Sequence, residues 1–229
     1  MCGRYTLTCP AEMVARLFDL GQLPPLGPPR YNIAPSQPVP AVRADQDGAR
    51  QLTLFQWGLV PFWAKDPAIG NRMINARAET AAEKPAYRAA YKYRRCLLPA
   101  DGFYEWKKLP SGGKQPVRIR RRDHKPFALA GLWESWDQGG LGPLETCTIL
   151  TIEPNDLLRG IHNRMPVILP PESFGMWLDP GLQDSRARQP VAGLLTPWDP
   201  EPFEAYPVSR VVNSPANDSP ECIEPIEAE

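Results

Sequence analysis

The sequence predicts a single sheet-rich, loop-rich domain with a mixed or barrel-like sheet and only short helices. Three observations point there. The 29 prolines among 229 residues make long uninterrupted helices improbable and favour rigid loops and edge strands. Short apolar runs recur along the middle of the chain, separated by turn signals such as Ser111-Gly112-Gly113. A hydrophobic content of 42%, with seven each of Trp, Tyr and Phe, supplies a core for a folded enzyme in a chain long enough to bury one.

The elements follow in order. Thr8 or Cys9 before Pro10 opens an amphipathic helix whose apolar face is Met13, Val14, Leu17 and Phe18. A Pro/Gly-rich link from Leu23 to Pro29 leads to Tyr31-Asn32-Ile33-Ala34-Pro35, and Val39 to Arg43 reads as a short strand. From Leu52 to Leu59 apolar groups fall on both parities, which predicts a strand buried on two sides. Ala76 to Glu83 and Pro85 to Tyr93 suit short helices, Pro85 being acceptable in a first turn. Strands are predicted at Cys96 to Leu98, Gly102 to Lys107, Pro116 to Arg121, Phe127 to Trp133 and Thr146 to Ile152. Asn155 to Arg159 and Pro171 to Leu178 look helical, and Val191 to Leu195 and Ala205 to Val208 read as edge strands. The stretch from residue 213 to 229 is acidic and Pro-rich and is expected to be a mobile tail following a domain of residues 1–212.

The net charge of zero conceals a division. Residues 1–132 hold 21 Lys or Arg against 10 Asp or Glu, and residues 133–229 hold 5 against 16. The first part could carry a polyanion, or both sets could be solvated surface charge, and position in space must decide. Five cysteines without a CxxC pair disfavour a disulfide framework or structural zinc, and with two histidines a His-rich metal site is hard to build. No metal and no cofactor are expected. The N-terminus has no apolar h-region and no stretch nears the roughly 18 apolar residues of a membrane span, so an intracellular, cytoplasmic, monomeric protein is expected, nucleoid-associated if bacterial.

Cys2 would become the N-terminal residue on loss of Met1, giving an amine and a thiol on one residue. An α-amine with a pKa of roughly 7.7–8.0 is partly neutral near pH 7 and adds to an aldehyde as a Schiff base. The thiol then closes a thiazolidine ring. If Met1 stays, Cys2 has an amide and this chemistry is closed. Glu105, within Phe103-Tyr104-Glu105-Trp106, is either a proton donor and acceptor raised by burial or the partner of a surface Arg or Lys. His162 either satisfies a local carbonyl or shuttles protons. Asn75 is a helix cap or an amide orienting a reacting sugar, and Arg77 an exposed cation or a phosphate ligand. Trp57, Pro61 and Trp63 lie in a run that is either core or a stiff exposed turn on which bases stack. Arg118, Arg120, Arg121 and Arg122 form the densest basic run, which alternation splits between faces.

Together, Met1-Cys2-Gly3-Arg4-Tyr5, Tyr31-Asn32-Ile33-Ala34-Pro35, Trp57-Gly58-Leu59-Val60-Pro61, Asn75-Ala76-Arg77-Ala78-Glu79-Thr80, Arg95-Cys96-Leu97-Leu98-Pro99, Gly102-Phe103-Tyr104-Glu105-Trp106 and His162-Asn163-Arg164-Met165-Pro166 resemble the SRAP family over residues 2 to about 208. The resemblance implies an α+β domain with a curved, barrel-like, mainly antiparallel sheet core flanked by short helices. It implies that Cys2 shields abasic sites in single-stranded DNA through a thiazolidine cross-link to the ring-opened sugar, in the DNA damage and SOS responses, with AP lyase activity a further possibility. It gives Glu105 the proton transfers, His162 their support and cross-link reversal, and Asn75 the sugar's orientation. DNA contacts are implied at Arg4, Trp57, Pro61, Trp63, Arg77, Thr151 and Arg164. The alternative is an N-terminal-nucleophile cysteine peptidase, whose action could be confined to its own Met1, and a non-catalytic DNA-binding module is a third reading.

Overall fold

The computed structural model describes residues 2–140, 142–182 and 188–227, with the backbone alone at 188 and 189. The strands are β1 (Tyr5–Leu7), β2 (Arg30–Ile33), β3 (Pro38–Ala44), β4 (Arg50–Trp57), β5 (Asn75–Arg77), β6 (Arg95–Ala100), β7 (Gly102–Lys108), β8 (Lys114–Arg121), β9 (Phe127–Trp136), β10 (Leu144–Ile152), β11 (Met165–Pro166), β12 (Ile168–Leu169) and β13 (Phe203–Pro207). The helices are short: α1 (Ala11–Phe18), α2 (Ala78–Ala81), α3 (Arg88–Tyr93), α4 (Asp156–Arg159), α5 (Phe174–Leu178) and α6 (Arg188–Gly193).

Five strands close on themselves. The order β10, β4, β3, β6, β9 returns to β10 through the β9–β10 hairpin, making a barrel in which β4 and β10 are parallel and the other pairings antiparallel. Closure removes the barrel's own sheet edges. A local device sets the β3–β4 register: Asp45 Oδ1 accepts from the backbone N–H groups of Asp47 and Ala49, and Gly48 takes the left-handed φ of 84° that the turn needs. Every residue of β6 is buried, because its outer side is covered by α5, whose Trp177 Nε1 donates to the Cys96 carbonyl.

The second sheet runs β13, β8, β7, β1, β2 and carries the amino terminus. Buried Asp101 fixes it there. Its carboxylate accepts from Thr6 Oγ1 at 2.5 Å, from the Thr8 N–H and Oγ1 at 2.6 and 2.7 Å, and from the Cys9 N–H at 2.8 Å, with Arg118 Nη2 3.6 Å away. The next residue must be glycine, since a Cβ at Gly102 would lie 2.7 Å from Arg118 Nε and 2.8 Å from Thr6 Oγ1.

Several sequence expectations change. The strand predicted as buried on two sides is one-sided, with Phe55 and Trp57 inside and Leu54 60% exposed. Val191–Leu195, expected as an edge strand, overlaps helix α6, and the helix expected from Ala76 starts after a short strand, because β5 pairs with β10. The acidic segment, expected to be mobile, is ordered to residue 227. Asp218 Oδ1 caps the N–H groups of Tyr31 and Asn32 at 2.5 and 2.9 Å, Cys222 is buried, and Tyr104 Oη donates to the carbonyls of Tyr31 and Cys222. The charge division is also resolved by folding: Arg30, Arg43, Arg94 and Arg120 of the basic part pair with Asp218, Glu145, Glu134 and Glu204 of the acidic part.

Candidate active site

Register delivers the site. β1 pairs antiparallel with β7, Tyr5 opposite Phe103 and Thr6 opposite Gly102, and the Tyr104 N–H donates to the Arg4 carbonyl at 3.0 Å. The same register carried toward the amino terminus sets Gly3 opposite Glu105 and Cys2 one residue further, where the Glu105 charge bears on its thiol. On the other side, β5 pairs parallel with β10, Asn75 opposite Ile149 and Arg77 opposite Thr151, and β11 places Pro166 opposite Thr151. Four segments distant in sequence thus converge at the junction of barrel and second sheet.

Cys2 is fully buried and its carbonyl accepts from Asn75 Nδ2 at 2.8 Å. Asn75 therefore orients the amino-terminal residue, and its own Oδ1 is buried without a hydrogen-bond partner among the described residues. Asn75 opens β5 instead of capping a helix. Burial, reinforced by Glu105, pushes the Cys2 thiol far above its ordinary range, so at neutral pH it is a thiol and must lose a proton to react. Glu105 is 1% exposed, and burial raises its carboxyl to about 7, poised to give and take protons near neutrality.

His162 Nε2 lies 3.9 Å from Glu105 Oε2, and burial holds the imidazole below its ordinary value. Its Nδ1 is 3.0 Å from the Arg164 N–H, a group that only donates. The Arg164 carbonyl oxygen, which only accepts, also lies 3.2 Å from Nδ1, so either ring tautomer has a partner there, and Nε2 faces Glu105. Thr151 is buried and flanks this floor, with Oγ1 3.4 Å from the Ala76 carbonyl.

The expected DNA contacts divide. Arg77 is exposed. Arg164 is bound bidentately by Glu79, Nη1 to Oε1 at 2.6 Å and Nη2 to Oε2 at 2.8 Å, and Nη2 also donates to the Thr151 carbonyl. Arg4 donates to Asn32 Oδ1 and to the carbonyls of Val212 and Asn213 at 2.9, 2.7 and 3.1 Å. Trp57 is no stacking platform in this structure: it is fully buried, packed edge-on against Tyr5 at 5.4 Å, with Nε1 donating to the Ile74 carbonyl. Pro61 is buried too, while Phe62 and Trp63 after it are 52% and 44% exposed. The basic run on β8 is consumed internally, Arg118 buried against Asp101 and Tyr206, Arg120 on Glu204 and Arg121 on Asp123. Sequence reasoning missed Lys108 and Lys114, exposed on β7 and β8, whose charges bear on His162, and Lys114 also bears on Glu105. No local pattern in the sequence signals them, because they come together only through the β7–β8 pairing, Lys108 opposite Lys114. Among the described residues no three His, Cys, Asp or Glu side chains cluster as a metal site, and no helix is long and apolar enough to cross a membrane.

The chain is 47% identical over 226 residues to the abasic site processing protein YoqW of Bacillus subtilis, covering 98% of this chain and 99% of that one. It is 31% identical to the abasic site processing protein YedK of Escherichia coli, covering 99% and 100%. Among solved structures, a Bacteroides thetaiotaomicron protein superposes with a TM-score of 0.84 at 27% identity, covering 99% of this chain and all of the other. The SOS response associated peptidase model matches residues 1–215, and this chain belongs to the SRAP family.

Proposed function

We propose that this protein handles abasic-site damage in single-stranded DNA by capturing the ring-opened sugar covalently on Cys2. The observation that carries the reading is the enclosure of Cys2 between Asn75, which holds its carbonyl, and Glu105, a buried carboxyl raised to about 7. Relatives named for abasic site processing, similar over nearly the whole chain, support the substrate class.

Removal of Met1 exposes the Cys2 amine. The neutral amine adds to the C1′ aldehyde, and the carbinolamine loses water to give an imine, Glu105 delivering the proton that the departing hydroxyl takes. The Cys2 sulfur then adds to the imine carbon while its proton ends on the ring nitrogen, giving a thiazolidine with one water released overall. Glu105 is suited to both proton transfers because its two charge states are close in energy near neutrality. His162, with its Nε2 facing Glu105, relays protons to and from that carboxyl. The unsatisfied Asn75 Oδ1 provides an acceptor for the Cys2 amine or a sugar hydroxyl. Arg77, Lys108 and Lys114 line an exposed route for the phosphodiester backbone, and Phe62 and Trp63 offer π-faces to neighbouring bases.

A second reading, peptide-bond cleavage by the Cys2 thiol, is favoured by one feature: Asn75 grips the carbonyl of Cys2, a backbone group next to the bond that must be cut to free the amine. One experiment separates the readings. The protein is incubated with single-stranded DNA bearing one abasic site and resolved on a denaturing gel, beside Cys2→Ala and Cys2→Ser. A heat-stable shifted band in the parent alone supports capture, and its absence with release of Met1 or cleavage of added peptide supports the peptidase. Equal non-covalent binding by all three proteins, with no band, leaves a DNA-binding module. Mass spectrometry that places the bond at a residue other than Cys2 overturns the proposal.

A further inference from the structure

Glu79 has no part in the chemistry above, yet it joins the two segments that carry the site. It sits on α2, two residues after Arg77 and four after Asn75, and grips Arg164 from the loop that bears His162. Arg164 holds the imidazole at Nδ1 through its backbone, with the N–H at 3.0 Å and the carbonyl oxygen at 3.2 Å. Its guanidinium is anchored on the Glu79 carboxylate and on the Thr151 carbonyl, so Arg164 cannot swing away without breaking three hydrogen bonds. The Arg164 side chain is 16% exposed and that of Glu79 46%, so the brace lies at the rim of the site with its carboxylate in solvent.

We propose that Glu79 is a positioning residue which, by clamping Arg164, holds His162 in the orientation that points its Nε2 at Glu105. This inference rests on the proposed role of His162 as a proton relay. The geometry is an i-to-loop cross-brace: a bidentate carboxylate–guanidinium pair fixes both distance and plane, which a single contact does not. The other charges facing the imidazole are Glu105 on β7, Lys108 and Lys114 on β7 and β8, and the charge at the chain's amino terminus. None of these contacts Glu79.

The test uses Glu79→Gln and Arg164→Lys in the full chain, with proton NMR titration of the imidazoles and single-turnover cross-linking on abasic single-stranded DNA. The chain has two histidines, so His124→Gln assigns the signals. The expected result is a downward move of the His162 titration in both variants, since the Arg164 backbone contact raises it. With it comes a roughly tenfold or greater fall in the maximal cross-linking rate, and a half-saturating DNA concentration no higher than the parent's. An unchanged His162 titration overturns the inference, as does an unchanged rate. Tighter DNA binding at an unchanged rate also overturns it, since Glu79 would then merely screen Arg164 from phosphate. If the parent itself makes no cross-link, the capture reading fails, and the titration alone still decides the role of Glu79.

Discussion

Glu105→Gln should make the protein more stable, and by an amount that grows with pH. Glu105 is buried, and burial raises its carboxyl from an ordinary 4.5 to about 7. Between those values the folded chain binds a proton that the unfolded chain has released. Stability from this group is thus fully present below pH 4.5 and is lost as pH rises through 7. At about 1.4 kcal/mol per tenfold, the cost of ionising it in place reaches roughly 3 kcal/mol above pH 7. Glutamine has nearly the same shape and no charge to desolvate, so it escapes that cost. Any offset from its altered hydrogen bonding is constant with pH and leaves that dependence untouched.

The assay is urea unfolding of parent and variant from pH 4.5 to 8.5. The stability difference should already be changing at pH 4.5, change by about 3 kcal/mol across the window and flatten toward pH 8.5. For a domain of this size that corresponds to a gain in Tm of roughly 6–12 °C at the alkaline end. The same variant should lose cross-linking, because an amide cannot deliver or accept the protons. A stability difference that stays constant from pH 5 to 8 would refute the claim that Glu105 is held near neutrality by burial.

Four other outcomes follow from the geometry. Trp57→Phe should cost about 2 kcal/mol in denaturant unfolding, through the lost Ile74 hydrogen bond and a cavity against Tyr5, while leaving DNA affinity unchanged. Trp63→Ala should do the reverse, weakening single-stranded DNA binding by roughly 1–3 kcal/mol by fluorescence anisotropy with no change in Tm. Arg77→Gln should reduce the slope of log affinity against log salt by about 0.7, the single-strand value for one phosphate contact. Asp218→Ala should lower stability by about 1–2 kcal/mol, because it strips the cap from two backbone N–H groups of β2, and an unchanged unfolding midpoint would show the carboxyl-terminal segment to be a passive tail.

The long strands were legible because their apolar runs and turn signals are local. β3, β6, β7, β8, β9 and β10 fall where Val39, Leu97, Tyr104, Val117, Leu129 and Ile149 announce them. β1, β2, β5, β11 and β12 were not, since each has four residues or fewer and exists only through pairing with a distant partner. Val191 to Leu195 misled for the same reason: a short apolar run has no period long enough to distinguish strand from helix. The carboxyl-terminal segment was misread from composition. Asp218 and Asn217 look like solvent-loving loop residues, and what holds them is hydrogen bonding to the β2 backbone and to Asn32 Nδ2, which composition does not encode.

At the site, the sequence supplied residue types, and the fold supplied the choice between their uses. Trp57 and Trp63 stand six apart in one aromatic run, yet one is core and the other is exposed. The chain leaves β4 after Trp57, passes Gly58 with φ at 132°, and approaches Gly70 so closely that a Cβ on Gly58 would lie 2.6 Å from the Gly70 carbonyl oxygen. That turn keeps Pro61 buried and throws Phe62 and Trp63 outward. Glu105 was equally ambiguous between a surface ion pair and a proton carrier, and its burial favours the second. A carboxyl at the junction of two sheets, costing the fold stability at every pH above its ordinary value, is a poor structural choice where a glutamine would pack as well. Its placement where its charge bears on Cys2 is what the proposed proton transfers require, and the pH dependence of Glu105→Gln tests it.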